Sequence, residues 1–183
     1  MPFGIGFFAT AGAGGGGAAF ELISTQVLTG SASSVTFSSI PATYKHLQIR
    51  AVTKVGDAGS SGVDVRLNSD SGTNYRTHYL IGTGSTVFSS DAGAGTSMGL
   101  ATTAGNNTTS AFGAWVLDAL DYANTAKNTT LRTLSGFTES GYQQIRLASG
   151  LWVNTSAVTS VTLLPVSSTF LTGCRFSLYG VRG

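Results

Sequence analysis

The amino-acid sequence predicts an all-β protein, a two-sheet β-sandwich of the jelly-roll type with an extended, glycine-rich N-terminal arm. Apolar and polar residues alternate in segments such as KHLQIRAV (45–52) and GVDVRLN (62–68), which is typical of half-buried strands. No segment keeps a helical apolar period over three turns, and Gly, Ser and Asn separate the alternating segments. Many short strands with such turns indicate a sandwich or a barrel.

The alternation begins at Phe20 and predicts ten strands. In chain order they cover residues 20–29, 34–39, 45–54, 62–68, 75–82, 110–120, 129–137, 142–148, 158–164 and 173–181. The sixth contains AFGAWVLDAL (111–120), which is apolar on both faces and is expected to be a central strand covered on each side, with Trp115 in the core. LDALDYANTAKN (117–128) is the best helix candidate, for one turn. The weakly patterned residues 85–110 are expected to form an edge hairpin with a contact loop at its tip.

Residues 1–19 are predicted to form an apolar arm before a single domain at 20–183. The segment FGIGFFATAGAGGGG (3–17) carries no charge, and no Lys or Arg precedes it as in a signal peptide. Its glycines interrupt the apolar run before the roughly 20 residues that a membrane helix needs. A membrane-active peptide is one alternative; we expect an anchor that docks on a partner, with glycines allowing close approach. The anchoring residues are Phe3, Ile5, Phe7 and Phe8.

The composition favours a part of an assembly. Charged residues make up 10% of the chain, against about a quarter in most globular proteins, and the net charge is only +2. A neutral surface rich in Ser, Thr, Asn and Gly suits a protein packed against copies or partners. The arginines are scattered, without the basic stripe of a nucleic-acid-binding protein. Cys174, the single cysteine, excludes an internal disulfide; we expect it to be buried and inert, in keeping with assembly in a reducing cytoplasm.

The titratable residues predict no catalytic, metal or cofactor site. His46 and His78 lie on predicted strands, and two histidines fall short of the three or four ligands that a metal site needs. Asp118 and Asp121 are the one pair to consider for acid–base cleavage of glycosides. Their place at the end of an apolar strand indicates turn and capping roles instead. We therefore expect that the protein is not an enzyme.

Two further patterns have features of ligand-binding sites. NSDSGTNY (68–75) partly matches a calcium loop, but Gly72 comes too early and the twelfth position is Tyr79, so a polar hairpin turn between strands 62–68 and 75–82 is expected. Exposed aromatic rings can stack on sugars, which keeps a carbohydrate-binding module open as a function. The candidate rings belong to Tyr44, Tyr75, Tyr79, Tyr122, Tyr142 and Trp152.

Several segments across the chain carry a family resemblance. They are FELISTQVLTGSASSVTFSSIPATYKHLQIRAV (20–52), RLNSDSGTNY (66–75), KNTTLRTLSG (127–136), IRLASGLWVNTSAVTSVTLLP (145–165) and GCRFSLYGVRG (173–183), together with the opening MPFGIGFFATAGAG (1–14). In these segments the chain resembles small virion proteins of tailed bacteriophages. None of these motifs is a catalytic signature. The resemblance implies a component of the virion, either a tail appendage or a capsid-surface protein, assembled in the host cytoplasm.

From these observations we expect a tail fibre or baseplate-attached adhesin subunit that docks through its N-terminal arm. Capsid decoration is the first alternative and a free carbohydrate-binding module the second. The expected partners are copies of the chain, with a trimer as one option, other virion proteins, and a host surface glycan as a further option; nucleic acid and a membrane span are not expected. Loops around residues 56–62, 84–96 and 104–110 would face the host.

Overall fold

A computed structural model of the chain describes residues 19–108 and 110–183, and it confirms an all-β fold. The described residues form twelve strands and no helix. The strands are β1 (Phe20–Val27), β2 (Val35–Phe37), β3 (His46–Thr53), β4 (Ser60–Leu67), β5 (Tyr75–Gly82), β6 (Val87–Gly95), β7 (Met98–Ala104), β8 (Gly113–Leu120), β9 (Thr129–Glu139), β10 (Tyr142–Trp152), β11 (Val161–Pro165) and β12 (Arg175–Val181). The predicted anchor, Phe3, Ile5, Phe7 and Phe8, lies outside the described residues.

The strands build two antiparallel sheets of unequal size. The larger has eight strands in the order β1-β12-β3-β8-β9-β10-β5-β6, and the smaller has four in the order β2-β11-β4-β7. The inner faces of the two sheets enclose one core, as the period-two pattern predicts. Along β9, for example, every second residue from Thr129 to Glu139 is buried. The prediction of a two-sheet sandwich is therefore confirmed.

A buried aromatic cluster lies beside a short polar chain that links the two sheets. The Trp115 and Phe176 rings meet edge to face at 6.3 Å between centroids, and Phe170 packs on Phe176 at 5.0 Å. The Trp115 indole N–H donates to Thr53 Oγ1 (3.0 Å), and Thr103 Oγ1 on the smaller sheet donates to the Thr53 carbonyl (2.8 Å). Since all these groups are buried, each polar atom has its partner inside the core.

Three local predictions were wrong because each was made from one segment alone, without the strands that lie beside it in the fold. β8 is central in the large sheet, but the described part of the chain covers only its inner face, and Ala114 on its outer face is exposed. The segment after β8 forms a turn at Asp121 instead of a helical turn. β4 and β5 belong to different sheets, so the 68–75 segment connects the sheets and is not a hairpin. The turn chemistry itself is as expected, with the Asp70 carboxylate accepting hydrogen bonds from its own turn.

The weakly patterned stretch 85–110 contains two edge strands. β6 pairs with β5 at the edge of the large sheet, and β7 pairs with β4 at the edge of the small sheet. The edge position was predicted, but the two strands do not pair with each other. Nearly all of β6 is exposed on both faces, which explains why its sequence shows no alternation.

Cys174 is fully buried, as predicted. Its thiol donates to the Lys54 carbonyl at 3.3 Å, and the Lys54 amide donates to the sulfur at 3.2 Å. Burial raises the pKa of this thiol. Cys174 is therefore a structural residue that remains in the unreactive thiol form at neutral pH.

Replacement of Gly180 by alanine tests the packing at the end of β12. A Cβ atom at Gly180 would overlap the ring of Tyr44, which lies flat on the strand. We expect Gly180→Ala to lower the free energy of unfolding by about 1–3 kcal/mol in urea titrations, because the rigid ring must move. Gly93→Ala on β6 is the matched control, since a Cβ there meets no atom within 4 Å. Equal stability of the two variants would contradict this account.

Candidate interaction surface

The described residues leave the outer face of the eight-stranded sheet uncovered. The four-stranded sheet packs only on its inner face, with β7 over β9 and β10. Successive side chains of a strand point to opposite faces, so half of every strand in the large sheet points outward. The register of the eight strands places these outward residues in straight rows across the sheet.

One row is apolar across four neighbouring strands. The register aligns Val116 of β8 with Leu134 of β9, Leu134 with Leu147 of β10, and Leu147 with Leu80 of β5. Leu134 and Leu147 are 50% and 54% exposed, which is unusual for leucines at the centre of a sheet. Arg50 of β3 ends the row beside Val116.

The next row toward the loops combines apolar and small residues. Val52, Ala114, Gly136, Ile145 and Gly82 follow one another across β3, β8, β9, β10 and β5. Gly136 and Ala114 form a low floor, while Ile145, 58% exposed, stands at one side and Val52 at the other. The parts of the two rows on β3, β8, β9 and β10 line an open groove of about 870 Å³, which we call the apolar groove. Its lining includes Val52, Ala114, Val116, Leu134, Gly136 and Ile145, and the rows continue beyond it through Leu147, Leu80 and Gly82.

A cation-bearing wall bounds the groove on the side of β3 and β12. The Arg50 guanidinium lies over the rings of Phe20 and Tyr179, at 5.0 and 4.9 Å from their centroids. Its Nε donates to Gln48 Oε1 at 2.7 Å, which fixes the side chain at the groove edge. Arg175 is exposed beside Val52 on the same wall. The groove thus has an apolar floor, and its positive charge lies only on the side of β3 and β12.

A polar row runs parallel to the groove on its other side. Gln48 Nε2 donates to Asp118 Oδ1 at 2.8 Å, and Arg132 Nε donates to Asp118 Oδ2 at 3.1 Å. The register continues this row through Ser149 and His78 of β10 and β5. Because Gln48, Asp118 and Arg132 bond to one another within the row, these polar side chains mark the limit of the apolar surface.

Asp118 and Asp121, the one pair considered for catalysis, occupy different settings. Asp118 pairs with Arg132 on the outer face. Asp121 lies in the turn after β8 at φ 48°, a conformation that Asp tolerates, and pairs with Lys127 and with Lys45 at 3.1 Å. Its hydrogen bonds to Lys127 and then to Lys45 lower the pKa of Asp121 to about 2. A carboxyl group with this pKa stays ionised at neutral pH and cannot act as the general acid.

The histidines are also separated by the fold. His46 accepts a hydrogen bond from the Asp121 amide at 2.9 Å, whereas His78 lies four strands away on β5. Among residues 19–108 and 110–183 no group of three or more His, Cys, Asp or Glu side chains could hold a metal ion. The same residues contain no helix long and apolar enough to cross a membrane.

Four turns come together at one end of the sandwich, which we call the loop end. They are residues 56–59, 83–86, 105–108 and 140–141. The Asn106 amide donates to the Asp57 carbonyl at 2.6 Å, and the buried Glu139 accepts from the Gly105 amide at 3.2 Å. Two of the three predicted contact loops, 56–62 and 104–110, therefore meet here over their described residues. The third, 84–96, is mostly strand β6, so its assignment as a loop was wrong beyond the 83–86 turn.

The candidate sugar-binding rings fall into buried and exposed groups. Tyr75, Tyr122 and Trp152 are core residues. Tyr79 lies under the Arg146 guanidinium, 3.9 Å from its ring centroid, and Tyr44 covers Gly180. Tyr142 alone among the six is an exposed large side chain, at 50%. It borders a small cleft of about 220 Å³ at the loop end; the polar side chains around that cleft are Thr83, Ser85, Gln143 and Gln144.

Sequence reasoning missed the apolar groove altogether. Its rows depend on the register of strands far apart in the chain, such as β5 with β10. One signal is present: apolar residues occur at both odd and even positions of AFGAWVLDAL, a pattern that on its own predicts burial on both sides. The same pattern fits a strand with one apolar face open.

The ion pairs of Asp121 predict a specific loss of stability in acid. Because the folded-state pKa of Asp121 is lowered, its stabilising effect is complete above about pH 4 and is lost as the pH falls toward 2. Asp121→Asn, which keeps a residue tolerant of positive φ, is expected to melt below the parent at pH 6 and together with it at pH 2. Thermal melts across this range measure the difference, and about 1 M NaCl should reduce it. A difference that persists at pH 2 would assign the effect to the turn rather than to charge.

Comparison with protein-family models, curated proteins and solved structures gives no match for this chain.

Proposed function

We propose that the protein is a bacteriophage virion structural protein, a tail fibre or baseplate-attached adhesin subunit that docks through its N-terminal arm. The observation that carries this proposal is the polarity of the domain. The chain enters β1 and leaves β12 at one end of the large sheet, where Phe20 pairs with Val181. The loop end lies at the other extremity, about 30 Å away along β9, from Thr130 in the row of Phe20 to Glu139.

This polarity suits a subunit fixed at its base and exposed at its tip. Residues 1–19 are attached at the base, next to the Arg182–Glu21 ion pair of 2.5 Å. Phe3, Ile5, Phe7 and Phe8 dock on another virion protein, since an uncharged aromatic segment gains most when it is buried against a partner. The loop end then points away from the particle, toward the host.

The composition of the loop end fits a neutral, hydroxyl-bearing ligand such as a surface glycan. Tyr142 offers an exposed ring for stacking, and Gln143, Thr83 and Ser85 offer hydrogen-bonding groups beside it. Over their described residues, these turns contain no cluster of charge that would favour nucleic acid. In this role the protein needs no cofactor and no catalytic group.

The finer features of the assembly belong to the same proposal. They are a jelly-roll type of sandwich, an extended glycine-rich arm at 1–19 before a domain at 20–183, association with copies of the chain, with a trimer as the working hypothesis, and residence in the virion after assembly in the host cytoplasm. The two antiparallel sheets support the first of these. Capsid decoration is the alternative in which the same arm clasps the shell.

Serine substitution of the arm aromatics tests the anchor. We expect the triple variant Phe3→Ser, Phe7→Ser, Phe8→Ser to reduce the protein per particle by more than about ten-fold, because each buried phenylalanine contributes roughly 1.5–3 kcal/mol. The measurement is quantitative immunogold microscopy of purified phage with antibodies against residues 21–183. Phe88→Ser, at an exposed ring on β6, is the matched control.

The position of the gold particles separates the alternatives. Labelling at the tail tip or baseplate is the expected result, and labelling over the head would establish capsid decoration instead. Intact, accessible particles without gold would overturn both.

Tyr142→Ala tests the loop end as a glycan site. Loss of the stacking ring is expected to abolish binding on an array of host surface glycans while the midpoint of urea unfolding stays close to the parent, since the side chain is half exposed. The control is Leu147→Ala, which removes another exposed side chain from the same strand away from the loop end. Equal loss of binding in both variants would exclude Tyr142 as a specific contact.

A further inference from the structure

The size of the apolar groove limits what can occupy it. It extends over five strands, β12, β3, β8, β9 and β10, and over two rows, roughly 300 Å² of surface at normal strand spacing. A stable interface between two folded proteins buries about 800 Å² on each partner. The polar row and Arg50 limit the apolar surface on two sides. An area of this size fits a short extended segment better than the face of a second domain.

The chain carries a segment with matching chemistry. In FGIGFF (3–8), a glycine separates Phe3 from Ile5 and another separates Ile5 from Phe7. An extended backbone would therefore present these three large side chains on one side. The glycines on the other side add no bulk and no charge. The groove offers the complementary shape, because Ala114 and Gly136 leave room for large rings between Val52, Leu134 and Ile145.

The aromatic ring at the start of β1 lies on the same outer face as the groove. β1 is the edge strand of the large sheet, and the Phe20 ring lies against the Arg50 guanidinium. Arg50 is itself a wall of the groove. The Phe20 ring therefore borders that wall, while the backbone at Ala19 continues beside β12, accepting a hydrogen bond from the Arg182 amide at 3.1 Å.

The length of the intervening chain is sufficient. Four strand spacings separate β1 from β9, and six residues along β9 separate Thr130, in the row of Phe20, from Gly136. These steps place Gly136 roughly 28 Å from Phe20. The twelve residue steps from Phe8 to Phe20 can span up to about 40 Å. The arm is therefore longer than the distance to the groove of its own chain.

We propose that, in the free protein, the segment Phe3–Phe8 lies in the apolar groove of its own large sheet. Attachment through the same chain gives a linked segment an effective concentration in the millimolar range, far above a second copy at micromolar concentration. The sequence that links the segment to Phe20 is rich in glycine from Gly12 to Gly17. The arm and the groove, each a liability when exposed, thus cover one another until an assembly partner takes the arm.

Disulfide trapping in the full-length protein tests this contact. The double variant Phe7→Cys, Leu134→Cys places one thiol on the arm and one in the groove; Leu134 is half exposed, so the fold tolerates the change. The control is Phe7→Cys, Thr36→Cys, with the second thiol on an exposed position of β2 in the small sheet. The buried Cys174 takes no part in either. Near-ultraviolet circular dichroism verifies that both variants are folded.

We expect the intramolecular cross-link in the Leu134→Cys pair to form at least about ten-fold faster than in the control pair, at a rate independent of protein concentration. Adding Ile145→Asp, a charge at another exposed groove position, should slow the reaction toward the control rate.

Equal rates for the two pairs, or no cross-link in the Leu134→Cys pair, would overturn the proposal. Cross-linked dimers that form faster than the intramolecular product would overturn it as well, and would assign the groove to the arm of a second copy. Because the test uses isolated protein, its result is independent of whether phage particles carry the chain.

Discussion

Trp115 lies at the point where the two sheets meet, and the packing between those sheets determines the rest of the molecule. Its ring contacts Phe176 while its N–H group is satisfied by Thr53, which is linked in turn to Thr103 of the opposite sheet. Burial of the inner faces is the main favourable contribution to folding in a chain with so few charges. Without this packing, neither the outer rows nor the loop end would have a fixed geometry.

The arrangement of the two sheets leaves two surfaces of the protein open. The small sheet packs on the inner face of the large sheet, so the outer face stays open among the described residues, and β6 at the sheet edge is exposed as well. On a larger assembly such surfaces are where neighbours attach. The long strands β9 and β10 also separate the base from the loop end, which in the proposed function keeps attachment and recognition far apart within a small domain.

The local character of the strands was accessible from the sequence, whereas their partners were not. Alternation at Leu47, Ile49 and Ala51 follows from the two-residue repeat of a strand and needs no knowledge of its neighbours. The pairing of β5 with β10 joins residues about seventy positions apart, and local patterns carry no information about it. Strand β6 was not predicted for a related reason. Because it is exposed on both faces, its sequence has no apolar periodicity. The turn at Asp70 was predictable because its hydrogen bonds are local.

By itself, the sequence determined the fold class, the burial of Cys174 and Trp115, and the presence of an uncharged aromatic segment before Phe20. These properties depend on composition and on spacing within a few residues. Only the tertiary structure decided that one open row is formed by Val116, Leu134, Leu147 and Leu80. It also decided that Asp118 and Asp121 pair with different cationic side chains, and that the turns meet at one end. The physical reason is that a surface is made by strand register, and register is fixed by contacts between residues distant in the chain.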